Sequence, residues 1–364
     1  MSIFNKDILR TVRQARGKSQ AQLAEDAHIS QAAISKIEAG LITEPTSDVI
    51  ERLADAVGFP SSIFFEPDRS FGLPISVHGN AMYRRKASTG NRALEKLEAD
   101  LNIRLMHVRR LLAAADFEAQ LRLPALDVDE YNGDVELIAD MVRRTWLIPS
   151  GPLDNLVSYI ERAGILIIEC DLSSIGVDGL TIRSLSAPPC IFIDSTAPGD
   201  RQRFTLAHEL GHLVMHSVPS PTMEEEANRF ASALLIPRRD IRPYLLDKVS
   251  IAKLASLKPI WRVSMAALLM QCQSSGGVSE AQAQYLWRQM SAMGYRRAEP
   301  ESIAIPRERP RVLAEILDMH MQQLGFSVDD LAQALHVYPQ ELLLLYGIET
   351  TKVDKRVRHL QSVT

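Results

Sequence analysis

Apolar residues recur at helical spacing from the start of the chain. Phe4, Ile8, Leu9 and Val12 fall three and four apart, which puts them on one helix face, and Gly17 ends the pattern. Ser19 with Gln22 three residues later has the form of a capping box, and the helix it opens carries Leu23, Ala24 and Ala27 inward. His28-Ile29 makes a short turn, Ser30 caps again, and residues 31–38 form the next helix, with Gly40 just past its end. Thr46 or Ser47 then starts a helix that includes Val57. Gly72-Leu73-Pro74 and Gly79-Asn80 break the pattern, so a boundary falls near residue 70. From Asn91 a long helix is predicted to about Phe117, with Leu94, Leu97, Leu101, Leu105, Val108, Leu111 and Leu112 as its stripe. Residues 240–300 read as helical core, with Trp261, Met265, Leu268, Leu269, Tyr285, Leu286 and Met290 inside, and the Pro-flanked residues 300–310 read as a linker.

Two short helices joined by a tight turn form a helix-turn-helix. Ala24 permits close crossing, while Ile29, Ile34 and Ile37 bury the second helix. Gln31, Ala32, Ser35 and Lys36 are left outward, as a reader of the major groove requires. A glutamine suits bidentate contact with adenine, and a lysine suits guanine or phosphate. The residues Ser19-Gln20-x-x-Leu23-Ala24, Ile29-Ser30-Gln31 and Ile34-Ser35-Lys36-Ile37-Glu38-x-Gly40 resemble the phage-repressor family of Cro/XRE-like regulators over about residues 5–65. That resemblance implies contacts to phosphate and base from Gln20 and Gln31. It also implies double-stranded DNA as a partner, bound at a palindromic operator by a twofold homodimer.

A chain of 364 residues is too long for one ordinary core, and 46% hydrophobic with 24% charged residues describes a soluble globular protein. No apolar stretch approaches the roughly 18–20 residues that span a bilayer, and the first residues lack the basic start and apolar run of a signal peptide. Cys170, Cys190 and Cys272 are scattered, which points to buried thiols in a reducing compartment and hence to a cytoplasmic protein without a membrane partner. The net charge of −4 counts against nucleic-acid binding, but a basic run extends from Tyr83-Arg84-Arg85-Lys86 to Arg109-Arg110 against only Glu95, Glu98 and Asp100. Two readings of that run stand: contact with DNA backbone, or a solvated face behind an apolar stripe that packs or dimerises.

The sharpest chemistry lies in Phe204-Thr205-Leu206-Ala207-His208-Glu209-Leu210-Gly211-His212-Leu213. His208 and His212 stand one helical turn apart, so both imidazoles face one side and can take adjacent corners of a zinc tetrahedron. Glu209 beside them is a candidate general base, taking a proton from a water that the metal activates. The third ligand is expected at Glu224 on the next helix rather than at Glu225 or Glu226, because only Glu224 has a polar residue, Asn228, at i+4. Asn228 is then placed to hold the far N–H of the first histidine. His216 extends the series to HExxHxxxH and is open to two readings, a third histidine ligand or a packed residue at the helix end.

Here the chain resembles the ImmA/IrrE-type metallopeptidases, through Arg201-x-Arg203-Phe204-Thr205-x-Ala207-His208-Glu209-Leu210-Gly211-His212 and Glu224-x-x-Ala227-Asn228-x-Phe230-Ala231-x-x-Leu234-Leu235-x-Pro237. The likeness reaches back through Trp146 to Pro152 and two strands at 165–171 and 190–194. It implies a zincin-like fold with Zn2+ and proteolysis, in some members of a repressor that carries its own helix-turn-helix. It also implies a substrate peptide paired with the edge of the strand at 190–194.

Near the end, Ser327-x-x-x-Leu331-Ala332-x-x-x-His336-Val337 repeats the spacing of Ser19-x-x-x-Leu23-Ala24-x-x-x-His28-Ile29. Pro339 stands where Gln31 stands, and the following helix is too apolar to read DNA. A helix-turn-helix-like packing or dimerisation unit and a chance likeness are both open. The expected architecture is mainly α with a small β-sheet (α+β). It comprises an all-α DNA-binding domain at 1–70, a basic linker and long helix at 71–125, a metallopeptidase domain at 126–300 and a C-terminal helical unit at 301–364. The expected function is a DNA-binding transcriptional regulator carrying a zinc metallopeptidase that cuts a partner repressor or its own chain. The alternative is a non-catalytic, antitoxin-like regulator whose peptidase fold senses a metabolite or holds a partner such as a toxin.

Overall fold

The computed structural model describes residues 3–66, 90–115, 117–172, 175–184, 187–245 and 248–347. The glycine-rich boundary near residue 70 and the basic stretch Tyr83-Arg84-Arg85-Lys86 lie outside them.

The N-terminal helices form where their caps predict. Asn5 accepts from the amides of Asp7 and Ile8 to start α1 (Lys6–Ala15). The Ser19–Gln22 capping box starts α2 (Gln20–Asp26), and Ser30 caps α3 (Gln31–Glu38). His28 takes φ +53° in the turn between them. Ile8, Leu9, Val12, Leu23, Ile34 and Ile37 are buried together, with Leu53 and Val57 of α4 (Ser47–Val57) behind them. The chain then returns to α1, where Phe4 meets Phe64 with ring centroids 5.4 Å apart.

The long helix α5 (Asn91–Leu112) stops short of Phe117. Its basic residues divide: Arg92 and Lys96 are exposed, Arg109 and Arg110 are half-buried, and Arg104 is buried. Every residue from Leu101 to Val108 is buried, because α1, the sheet and the C-terminal helices surround the helix. Arg104 pairs with Asp100 at 3.0 Å, Arg110 bonds Glu66 and the Ala334 carbonyl, and His107 Nδ1 lies 2.7 Å from the Tyr346 hydroxyl. Long cationic side chains in such a place need paired charges and carbonyl oxygens, and these have them.

After α6 (Val135–Thr145) and α7 (Leu156–Arg162) come β1 (Leu166–Cys170), β2 (Gly179–Ser184) and β3 (Ala187–Asp194). β3 is central, parallel to β1 with Leu166 opposite Cys190, and antiparallel to β2 with Leu180 opposite Phe192. The expectation that the strand at 190–194 offers an edge to a peptide is therefore corrected, since both its sides are already paired. Side chains alternate between two cores. Leu166, Ile168, Leu180, Ile182, Cys190 and Phe192 enter the core that includes the N-terminal helices and α5. Ile167, Ile191 and Ile193 enter the other, under α8 (Gly199–Met215) and α9 (Met223–Leu235).

That second core continues through the short α10 (Arg238–Ile241) into α11 (Ile251–Trp261), α12 (Met265–Ser274) and α13 (Glu280–Ala292). Trp261, Met265, Leu268, Leu269, Leu286 and Met290 are buried there, but Tyr285, expected inside, is exposed on the outer face of α13. Residues 300–310 are not a loose linker. Glu308 is buried against Arg203, takes the Val157 amide at 3.0 Å, and exchanges two 2.9 Å bonds with Gln202. This strap crosses the start of α8 so closely that a Cβ on Gly199 would stand 2.2 Å from the Ile305 carbonyl oxygen, so only glycine fits.

The C-terminal echo extends to the backbone. A Ser327–Asp330 capping box starts α15 (Val328–Ala334), and His336 repeats the turn with φ +54° before α16 (Pro339–Tyr346); α14 (Val312–Gln322) precedes both. The unit docks on the N-terminal module through Glu341 to Arg16 at 2.7 Å and His336 to Ser62 at 2.8 Å. No helix among the described residues is long and apolar enough to cross a membrane.

Burial, and then the nearby Arg104 charge, push the His107 pKa down to about 3. A histidine with a folded pKa below its unfolded value of about 6.5 costs stability as pH falls through that window, by up to ~1.4 kcal/mol per unit. Between pH 7 and pH 5 the contact of α5 with α16 is expected to lose about 2 kcal/mol of amide-exchange protection. His107→Gln should flatten that loss; an equal loss in the variant would remove His107 as its cause.

Candidate metal centre and nucleic-acid interface

α8 is buried along most of its length although it carries two histidines and a glutamate. His208, Glu209 and His212 are each at most 4% exposed. α9 packs tightly across them because Gly211 has no side chain. A Cβ there would meet the Phe230 ring at 3.0 Å and the Ala227 Cα at 3.4 Å. The first turn of α9 consequently brings Glu224 over the histidines. Glu225 points to solvent, and Glu226 turns to His216.

The ligand-type atoms of His208, His212 and Glu224 lie within 4.8 Å of one another. His208 Nε2 and His212 Nε2 are 2.9 Å apart, and the Glu224 carboxylate stands 3.5 Å from the first and 3.3 Å from the second. Four ligands around zinc at about 2.0–2.1 Å are themselves about 3.3 Å apart, so the spacing suits that ion. Proton placement agrees. The Asn228 Oδ1 atom, 2.9 Å from His208 Nδ1, can only accept, so the ring proton sits on Nδ1 and the lone pair on Nε2. That lone pair, aimed at a second imidazole nitrogen and a carboxylate, is what a metal ligand presents.

Glu209 meets the sheet, where the Thr181 hydroxyl donates to its Oε2 at 2.8 Å. Arg183, two residues along β2, donates to the His212 carbonyl at 3.0 Å. Neither residue was among the candidates from sequence. β2 is short and breaks its alternation at a bulge between Ile182 and Ser184, and no pattern names a threonine partner for a distant glutamate. His216 does not join the ligands, since both its ring nitrogens are engaged, one with His212 and one with Glu226. Burial, and then the neighbouring His212, hold its pKa below the ordinary range.

On the N-terminal module, Gln31, Ala32, Ser35 and Lys36 form the exposed face of α3. Gln20 is held differently. Its amide donates to Glu38 at 2.8 Å, and the same buried carboxylate takes two bonds from Arg13, at 2.6 and 2.9 Å. This network ties α1, α2 and α3 into one angle, so Gln20 helps hold the pose of α3 while its edge remains half-exposed. Removing one partner of such a buried pair typically costs about 3–5 kcal/mol.

Residues 9–64 match the helix-turn-helix family, and residues 160–273 match the IrrE N-terminal-like domain family. No curated protein matches the chain. The chain thus joins an XRE-type helix-turn-helix to an IrrE/ImmA-like, peptidase-family domain in one polypeptide.

Elemental mass spectrometry on the purified protein checks the cluster. Wild type is expected to carry about one divalent ion per chain and His208→Ala none. Asn228→Ala should weaken the metal by about 10–100-fold. Metal retained in full by His208→Ala would place it elsewhere.

Proposed function

We propose that this chain is a cytoplasmic transcriptional regulator that binds a palindromic operator as a homodimer and carries a zinc peptidase directed at an internal peptide bond of a partner repressor or of itself. One observation carries the reading: two imidazoles and a carboxylate converge next to a buried glutamate, in the same chain as an exposed helix suited to the major groove.

His208, His212 and Glu224 would hold zinc, which when bound supplies a Lewis acid for peptide hydrolysis. Glu209 acts as the general base, taking a proton from the attacking water and returning it to the leaving amine. The Thr181 hydroxyl orients that carboxylate and keeps one of its oxygens occupied. Asn228 fixes the tautomer of His208, leaving Nε2 free to bind metal. A substrate strand pairs with the outer edge of β2, which, unlike β3, has a strand on one side only among the described residues and carries Thr181 beside Glu209. Gln31 and Lys36 read and anchor DNA, and cleavage changes operator occupancy.

Two measurements test the two halves. Zinc-loaded wild type, incubated with candidate repressors and alone, is expected to give new termini by mass spectrometry, and Glu209→Gln should slow this about 100–10,000-fold while keeping its metal. A fully loaded wild type that cuts nothing would turn the reading toward a non-catalytic sensor. On DNA, Gln31→Ala should lose about 1–3 kcal/mol of discrimination at one base position, and Lys36→Ala should lower the salt slope by about one. Unchanged binding in both variants would remove α3 as the reader.

A further inference from the structure

The two histidines of the cluster are backed differently. His208 Nδ1 meets a neutral amide, that of Asn228. His212 Nδ1 meets another imidazole, His216 Nδ1, at 2.9 Å, and His216 Nε2 meets Glu226 Oε2 at 3.0 Å. The His216 side chain is 5% exposed and that of Glu226 17%, so water competes little for either bond. His216 stands at the C-cap of α8, where the backbone has left helical angles, and its amide still bonds the His212 carbonyl at 3.1 Å. That places its ring one turn beyond His212, on the same side, with the two ring centroids 5.0 Å apart.

Proton bookkeeping runs in one direction along this row. A carboxylate only accepts, so His216 Nε2 carries a hydrogen and donates it to Glu226. A neutral His216 then accepts at Nδ1, which requires the hydrogen of His212 to sit on its Nδ1. The His212 lone pair is left on Nε2, facing His208 and Glu224. We infer that His216 and Glu226 form a relay that positions His212 as a metal ligand, with the Glu226 charge transmitted through the bridging imidazole to strengthen His212 as a donor. The inference rests on the zinc reading of the cluster.

Both members act through His212 and are positioning residues. Hydrogen-bonded partners behind a ligating histidine orient the ring and raise its basicity, and their loss typically weakens the metal about 10–100-fold. The first turn of α9 thereby serves the centre twice, once through the direct ligand Glu224 and once through Glu226. The exposed residue between them, Glu225, has no such part and supplies a control on the same turn.

The experiment is a zinc titration of metal-stripped full-length protein against a chromophoric chelator, for wild type, His216→Ala, Glu226→Gln and Glu225→Gln. His216→Ala is expected to lose about 10–100-fold in affinity and Glu226→Gln about 10-fold, with Glu225→Gln unchanged. Glu226→Gln is decisive, because it keeps shape and removes only the charge, whereas His216→Ala also opens space at the helix end. Cobalt(II) in the zinc site gives a second readout. Its visible bands should shift in Glu226→Gln at full occupancy, which a purely structural role would not cause. Wild-type affinity with unchanged bands in Glu226→Gln would overturn the relay and leave the zinc reading standing. A wild type that takes up no metal would overturn the zinc reading itself.

Discussion

Successive residues of β3 point to opposite sides, so Cys190 and Phe192 enter one core while Ile191 and Ile193 enter the other. β1 continues the partition, with Leu166 and Ile168 on one side and Ile167 on the other, while β2 adds Leu180 and Ile182 to the first. The small sheet is a wall shared by two halves of the molecule, and each half would expose a large apolar surface without it. On one side lie the DNA-binding helices, α5 and the C-terminal unit; on the other lies the metal-type cluster on α8. Two modules that read as beads on a string are instead packed against one another's structure through a single layer of backbone.

α5 is the element that makes this arrangement compact. Buried on all sides through its middle, it touches the DNA-binding module, the sheet and the C-terminal helices at once. Its polar residues are accommodated by partners from three separate parts of the chain: Glu66 for Arg110, Tyr346 for His107, and Asp100 within the helix itself for Arg104. Burial of charge is tolerable only on those terms. The same holds across the sheet, where Arg203 lies buried at the start of α8. Its guanidinium meets Glu308 together with the carbonyl oxygens of Leu153 and Asp154, which anchors the strap over Gly199.

The cluster itself combines local and distant contributions. Helical periodicity alone aligns His208, His212 and His216 along α8, and Glu224 and Asn228 along α9. The close approach that makes the two helices one site depends on Gly211 and on the aromatic and small residues opposite it. Glu209 then differs from His208, His212 and Glu224 because it meets the sheet at Thr181.

Much of this protein was legible in the chain alone. Caps, turns and apolar spacing specify α1 to α3 because those signals act within a few residues of where they are read. The HExxH spacing and the pairing of Glu224 with Asn228 are likewise properties of single helices. The repeat of the Ser19 turn at Ser327 was visible too, down to the histidine that takes positive φ. Tertiary structure decided what no local pattern holds. It made β3 central rather than an edge, buried Arg104 and His107 in the middle of α5, exposed Tyr285 and turned residues 300–310 into a strap. It also drew Gln20 into the Glu38 network and His216 toward Glu226. In each case the deciding partner lies ten to several hundred residues away, and which of several exposed-looking polar groups becomes buried depends on which surfaces meet. Periodicity tells which side of a helix is apolar, but only packing tells what stands opposite the other side.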